Sequence, residues 1–223
     1  QLAELDGPQV ATRLLRNCAG ACKVVHSMRA TPLHLQCEAM ADFDLKVRQT
    51  FCSITGVAPS HQERDQACVG VRLGGLGLRS CAQHAEAAYL ASSSSARELC
   101  HKLDPAFQLN ASVGDSDFGI ALARYNSKLP DAEQLQAGDV ADKRQQTLSE
   151  AIDKVAFEAR KSSLDLADQA TLLSECEPGA REFWLCAPSG ATAVPAAEFC
   201  EEVRYRLCMP DRYENSFCPL GDD

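Results

Sequence analysis

Aromatic residues are scarce in this 223-residue chain, which contains 6% Phe, Trp and Tyr and a single tryptophan. Aromatic side chains favour strands, so their scarcity argues against a β-sandwich. Hydrophobic residues still make up 45% of the sequence, which is enough for a core. Alanine and leucine are frequent among them, and both favour helices. We expect an all-α fold, an irregular bundle of about seven or eight helices with one long helix in the second half.

Long apolar runs are also missing. No stretch approaches the roughly 18 consecutive apolar residues of a membrane-spanning helix, and no basic start followed by an apolar segment resembles a secretory signal. The twelve cysteines are about 5% of the 223 residues and are scattered without a C-x-x-C pair. A short disulfide scaffold contains more than about 8–10% cysteine. We therefore expect an intracellular protein, cytoplasmic or nuclear, with reduced thiols and no membrane partner.

Sequence motifs of catalysis and cofactor binding are absent. Neither G-x-G-x-x-G, nor a P-loop, nor G-x-S-x-G occurs. The only adjacent aspartates are Asp222 and Asp223 at the end of the chain. Asp42 and Asp44 would lie about 200° apart on a helix, so they do not form the converging carboxylate pair of a two-metal polymerase site. The sequence therefore predicts no enzyme activity, no cofactor and no small-molecule substrate.

Cysteines and histidines occur close together at two places. Cys18, Cys22 and His26 share one face of a predicted helix, but no fourth zinc ligand is evident, and a buried thiol pair is the simpler interpretation. Cys81 is followed by His84 at a spacing that any helix provides, so it does not indicate a catalytic dyad. We expect no metal site and no catalytic residue.

Residues 71–80 contain three glycines among leucines and predict a tight corner. Gly74, Gly75 and Gly77 suit a turn with positive φ better than a helix, where each would cost about 1 kcal/mol relative to alanine. Ser80 is a candidate N-cap for the helix that follows. An anion site at that helix start is the alternative, but the glycine spacing matches no phosphate-binding motif.

Apolar residues recur at three- and four-residue steps in several segments, as in helices that bury one face. The segments that predict helices are 8–28, 35–51, 60–69, 81–91, 118–128, 139–173 and 195–208. The 139–173 segment exceeds the usual helix length, so we expect a kink near Ser162 and Ser163. Serines at 92–95 should weaken the helix that precedes them. We divide the chain there into residues 1–95, a helical module with the glycine corner, and residues 96–223, an acidic helical region.

The corner and the helix after it resemble a signature of a known family. The matching positions are Gly74 to Ser80, Ala82, His84, Ala85 and Ala87 to Ser92. Further similar blocks, in the same order, are Pro8 to Ala11, Leu14 to Arg16, Cys22 to His26, Arg29 to Pro32, Phe43 to Arg48 and Glu198 to Pro210. Together these blocks resemble reverse-transcriptase-like proteins of non-LTR retrotransposons. The similarity is weak between residues 97 and 195.

The resemblance implies a fragment of a longer protein, from the region that follows the polymerase palm and lacks its catalytic carboxylates. The implied partner is the upstream polymerase domain of the same protein. The implied function is a non-catalytic helical module that supports the polymerase or contacts template RNA or DNA. A stand-alone helical protein-interaction or scaffold module is the alternative. The tail around Cys218 resembles the start of the family's Cys-Pro-x-Cys knuckle, but Gly221 stands where the second cysteine would be, so no zinc site is expected.

Positive charge is relatively concentrated in the first part of the chain. Residues 1–100 carry 10 Lys and Arg against 9 Asp and Glu, whereas residues 101–223 carry 12 against 22. Contact with a polyanion should therefore involve the first part. The candidates for nucleic-acid contact are Arg13, Arg16, Lys23 and Arg29, which lie mostly off the apolar stripe of the first predicted helix. A solvated helix face is the simpler alternative.

Overall fold

The computed structural model describes residues 2–107, 116–141 and 143–209. Within these ranges it contains no β-strand, so the all-α multi-helix fold is confirmed. The α-helices are α1 (Pro8–Leu14), α2 (Val25–Ala30), α3 (Cys37–Thr55), α4 (His61–Cys68), α5 (Cys81–Leu103), α6 (Asp117–Asn126), α7 (Gln145–Ser163), α8 (Leu166–Ser174), α9 (Pro178–Leu185) and α10 (Ala196–Arg206). None of these helices is both long and apolar enough to cross a membrane. Cys218, Asp222 and Asp223 lie outside the described residues.

The single helix predicted over residues 8–28 is wrong, because the chain breaks at Gly20. After α1 it forms a π turn over Leu15–Ala19, and α2 begins only at Val25. A Cβ atom at residue 20 would lie 2.9 Å from the carbonyl oxygen of Leu15. Glycine is therefore the residue that lets the chain turn so close to the preceding backbone. Side chains on the two sides of Gly20 do not continue one helical stripe.

The segment predicted as one long helix over residues 139–173 is two helices, α7 and α8, and α7 ends at Ser163, where the kink near Ser162 and Ser163 was expected. The backbone is extended at Leu164, and the carboxylate of Asp165 accepts a hydrogen bond from the Asp168 N–H at 2.9 Å, which caps α8. The longest helix is instead α5, with 23 residues in the first half of the chain. It continues through the serines at 92–95, where the Ser95 hydroxyl donates to the Ala91 carbonyl at 2.7 Å.

Helix α5 crosses the boundary between residues 95 and 96 and packs against both parts of the chain. It contacts α2 and α3 from the first part and α6 and α7 from the second. One hydrophobic cluster around it includes Leu90, Phe118, Tyr125 and Leu148. A second cluster joins residues far apart in sequence, among them Leu15, Phe51, Leu76, Trp184, Phe199 and Leu207. The two parts of the chain therefore share their cores, and Leu15 and Leu207 pack in one cluster with Leu76 of the glycine corner.

Candidate functional site

The glycine corner is a tightly packed backbone turn. A short 3-10 turn over Val71–Leu73 leads into Gly74, and Gly74 and Gly77 have φ values of 73° and 70°. Gly75 lies so close to the end of α4 that a Cβ atom there would be 2.0 Å from the carbonyl oxygen of Val69. Leu76 is completely buried. The corner is thus a place where backbone meets backbone, and it leaves no room for a ligand at Gly75.

A buried arginine near the end of α10 holds the corner. The Nε–H of Arg206 donates to the Gly75 carbonyl at 3.0 Å, and a second guanidinium nitrogen donates to the Val71 carbonyl at 2.8 Å. The third nitrogen pairs with the carboxylate of Glu175, and the guanidinium carbon lies 5.2 Å from the ring centroid of Trp184. Burial lowers the pKa of Arg206, and the Glu175 charge opposes that change. All three nitrogens of this cation are therefore used within the protein.

A second buried arginine extends this network to α7. The Gln66 side chain donates to the Arg206 carbonyl at 2.6 Å and accepts from the Nε–H of Arg160 at 2.9 Å. Arg160 also donates to the Leu207 carbonyl at 3.1 Å. These bonds connect α4, α7 and the end of α10. We call Gln66, Arg160, Glu175 and Arg206 the corner network.

The sequence analysis missed the corner network, although part of its signal is visible. Arg206 lies three residues after Val203 and seven after Phe199, so it occupies the apolar face of its helix rather than the solvent face. All three side chains are buried. An arginine on an apolar stripe predicts a buried, fully bonded cation, because an unpaired buried charge is costly.

The start of α5 carries an anion supplied by the protein itself. The carboxylate of Asp44 accepts hydrogen bonds from the N–H groups of Cys81 at 2.7 Å and Ala82 at 3.1 Å, and from the Ser80 hydroxyl at 2.6 Å. Ser80 caps the same helix by accepting from the Gln83 N–H at 3.2 Å. A helix N-terminus favours negative charge, and here Asp44 provides it. The N–H groups that an external phosphate would use are therefore already bonded.

The predicted nucleic-acid candidates differ in how their charged groups are bonded. Arg13 donates to the carbonyls of Leu185 and Cys186, and Arg16 donates to the carbonyl of Trp184 at 2.6 Å. Both arginines thus bind the carbonyl end of α9, where positive charge is favoured. Burial lowers the pKa of Arg16, and Arg13 and Arg206 add to the effect.

The two remaining candidates do not donate to α9. Lys23 is exposed in the short turn before α2. Arg29 donates from Nε to the side-chain carbonyl of Gln145, at the start of α7, at 2.8 Å. Of the four cations, Lys23 is the one that is exposed with no bond from its charged group to residues 2–107, 116–141 or 143–209.

The cysteine clusters differ from the sequence prediction in one respect. Cys18 and Cys22 are exposed, so the predicted buried thiol pair is wrong, because the π turn and the break at Gly20 interrupt the apolar stripe. Cys81 is buried, and burial together with Asp44 raises the pKa of its thiol. Throughout the described ranges, no three His, Cys, Asp or Glu side chains gather in a way that could hold a metal ion.

His84 pairs with an aspartate of α7 rather than with Cys81. Its Nε2 atom lies 3.2 Å from a carboxylate oxygen of Asp153, and both side chains are almost fully buried. The other oxygen of Asp153 accepts from Arg79 at 3.3 Å. This carboxylate therefore connects α7 to the corner and to α5. The pairing with Asp153 accounts for a buried histidine at position 84 by a structural role.

One cavity opens to solvent beside the corner. It has a volume of about 340 Å³ and lies between α3, α4 and the start of α5. Phe51, Ala67 and Leu78 are among the apolar residues that line it, and Arg48 and Arg64 are among its charged residues. The sequence analysis did not identify these arginines, because α3 and α4 come together only in the folded chain.

Comparisons with known proteins add no family assignment. No protein-family model, curated protein sequence or solved structure matches this chain. The function must therefore be argued from the packing of the similar blocks and from the surfaces that the fold exposes.

Proposed function

We propose that this chain is a non-catalytic helical module of a retrotransposon reverse-transcriptase-like protein, and that it supports the polymerase domain by packing against it. The observation that carries the proposal is the position of the blocks that resemble this family. Arg16, from an early block, lies under Gly77, where a Cβ atom would be 3.0 Å from its side chain. Arg206, from the last block, donates to Gly75. Residues from separate similar blocks thus hold one corner together, which supports a structural role for those blocks.

Support of the polymerase is favoured over contact with template nucleic acid. Arg13 and Arg16 donate to carbonyls at the end of α9, which holds their side chains against the protein rather than extended towards solvent. Tight binding to nucleic acid requires several unpaired cations on one surface, because each phosphate contact contributes through counterion release. Among the four predicted candidates, only Lys23 is exposed without a bond to the described part of the chain, and one cation does not meet that requirement. Under this proposal the palm carries the polymerase chemistry.

A second candidate, a stand-alone protein-interaction module, is favoured by one observation on α8. Leu166 is 84% exposed and Leu173 is 44% exposed on this short helix. Apolar side chains in such positions are used by partner proteins when they form a contiguous patch. The segment predicted as one long helix is divided into α7 and α8, so this contact would involve α8.

The first experiment for this proposal is to sequence the transcript on both sides of the segment. We expect in-frame upstream strands with an aromatic-x-Asp-Asp turn, which would supply the carboxylates for two metal ions. A stop codon in the same frame between any such strands and this segment would overturn the proposal and leave the stand-alone module.

A second experiment measures the packing directly. The upstream polymerase segment and this chain are expressed separately, treated with nuclease and mixed, and their co-elution is followed by size-exclusion chromatography at low and high salt. We expect a complex that survives both treatments, because apolar packing is little affected by salt. A complex lost after nuclease treatment and in Lys23→Gln would instead assign template contact. Loss of co-elution in Leu166→Ser would place the contact on α8.

A further inference from the structure

The cavity beside the corner combines an apolar lining with an open mouth. Phe51 and Leu78 line it and are buried among core residues, whereas Ala41 and Leu45 of α3 line it and remain exposed. Its volume of about 340 Å³ lies within the range of small ligand pockets, about 300–1,000 Å³. One leucine or phenylalanine side chain from another molecule would fit there. The apolar lining is thus accessible from outside.

Three arginines line the same cavity: Arg48 on α3, Arg64 on α4 and Arg79 at the corner. Arg79 bonds to Asp153. For Arg48 and Arg64, no carboxylate partner is found anywhere in the part of the chain that the structure describes. Two guanidinium groups are therefore available to an incoming anion, and a guanidinium binds a carboxylate through two parallel hydrogen bonds.

The carboxylates that line the cavity are already engaged. Asp44 accepts bonds from the start of α5, as described above. Asp65 lies 2.9 Å from the imidazole of His61 on the exposed side of α4. Neither carboxylate pairs with Arg48 or Arg64, so no carboxylate of the cavity lining offsets the charge of these two arginines at contact distance.

From this geometry we infer that the cavity is a docking site for an acidic peptide segment of a partner protein. An aliphatic or aromatic side chain of the segment enters the cavity, and flanking aspartate or glutamate side chains bind Arg48 and Arg64. The charge complementarity and the apolar lining together select this chemistry. The inference goes beyond the proposed function and does not depend on the retrotransposon origin, because the chain alone can be tested for it.

A peptide fits these observations better than a nucleic acid does. Proteins that bind single strands stack bases on exposed aromatic rings. Phe51 is the one aromatic residue of the cavity lining within the described ranges, and it is only 2% exposed. Asp44 and Asp65 would also repel a phosphate backbone that follows the mouth, whereas a peptide can place its few carboxylates next to the arginines alone.

The test is a selection from a random twelve-residue peptide library displayed on phage, carried out on the complete chain. We expect peptides in which Asp or Glu flanks a Leu or Phe to be enriched. The variant that removes the charge is Arg48→Ala with Arg64→Ala, and the variant that fills the cavity is Ala41→Phe at an exposed position of α3. Arg72→Ala is the matched control, because Arg72 is an exposed arginine of the corner outside the cavity.

Binding of one enriched peptide is then measured by fluorescence anisotropy. We expect the double arginine variant to bind it roughly 2- to 30-fold more weakly, because it loses two arginine–carboxylate ion pairs of the strength measured for exposed pairs. Ala41→Phe should abolish binding, and Arg72→Ala should leave it unchanged. Circular dichroism of every variant should match the parent protein, because the altered side chains are not in the core.

Three results would overturn the inference. One is the absence of acidic peptides from the enriched set. Another is equal binding by the double arginine variant and the control. The third is tight binding of a twelve-residue oligothymidylate that is lost in the double arginine variant, which would assign the cavity to nucleic acid.

Discussion

Arg206→Met tests whether the corner network holds the fold together. Methionine keeps much of the side-chain length but removes the charge that pairs with Glu175, a residue that is only 5% exposed. It also removes the donors to the carbonyls of Val71 and Gly75. Breaking a buried ion pair from one side costs about 3–5 kcal/mol, because the remaining charge is buried without a partner. We expect the free energy of unfolding to fall by about that amount.

Urea unfolding at pH 7.5, followed by Trp184 fluorescence and far-ultraviolet circular dichroism, measures this loss. Trp184 is the single tryptophan of the chain and lies next to the Arg206 guanidinium, so its emission reports on the network itself. Arg72→Met removes an exposed arginine of the same corner and should cost less than about 0.5 kcal/mol. If Arg206→Met does not fold, Arg206→Lys keeps the charge but not the planar fork, and it should show a smaller loss.

The double variant Arg206→Met with Glu175→Gln separates two explanations. If the loss in free energy of unfolding comes from a buried Glu175 carboxylate without a partner, Glu175→Gln should recover roughly half of that loss, because burying a neutral amide costs less than burying a charge. A cost below about 1 kcal/mol for Arg206→Met would refute the reasoning. So would a double variant that is no more stable than the single one.

Three further predictions concern Gly75, Asp44 and Cys68, which lie at or near the corner. Gly75→Ala should destabilise the protein by at least about 3 kcal/mol in the same urea titration, since its Cβ would meet the Val69 carbonyl. Gly56→Ala is the control: Gly56 also has a positive φ, 64°, but no atom lies near its Cβ position, so the change should cost only about 1–2 kcal/mol. Asp44→Ala should cost about 2 kcal/mol because it leaves the N–H groups of Cys81 and Ala82 without their acceptor, and a cost under about 0.5 kcal/mol would contradict that role. Burial raises the pKa of Cys68 from 9.0 to about 12, so the neutral thiol stabilises the fold below pH 9 and this stability is lost as the pH rises towards 12. Between pH 7.5 and 10 the parent protein should therefore lose about 1.4 kcal/mol more than Cys68→Ala; equal losses would show that the thiol ionises normally.

Local sequence patterns predicted the all-α fold class and the starts of several helices. The capping box of Ser60 and Glu63 is present, with the Ser60 N–H donating to the Glu63 carboxylate at 2.5 Å. The break at Gly20 was not predictable in the same way, because a single glycine lowers helix stability by only about 1 kcal/mol. The serines at 92–95 were expected to weaken the helix before them, but α5 continues through them. Tertiary packing against α6 and α7 outweighs their weak helix propensity.

The site residues were harder to predict because their partners are distant in sequence. Arg13 and Arg16 look like a solvated basic face when only the first helix is considered. Their acceptors belong to α9, which lies more than 160 residues further along the chain. Arg48 and Arg64 were overlooked for a related reason, since the cavity that they border exists only where α3 meets α4. Spacing within one helix cannot reveal either relationship.

The two groups of arginines make opposite predictions about what a substitution changes. Arg206 and Arg160 are buried and donate to backbone carbonyls, so replacing them should lower stability and affect binding only through unfolding. Arg48 and Arg64 lie at an open mouth and have no partner to lose in the described part of the chain, so replacing them should alter binding at constant stability. A variant at Arg48 that unfolds at lower urea concentration would place it in the scaffold instead. The separation of the two effects therefore tests whether the corner is the scaffold and the cavity beside it the working surface.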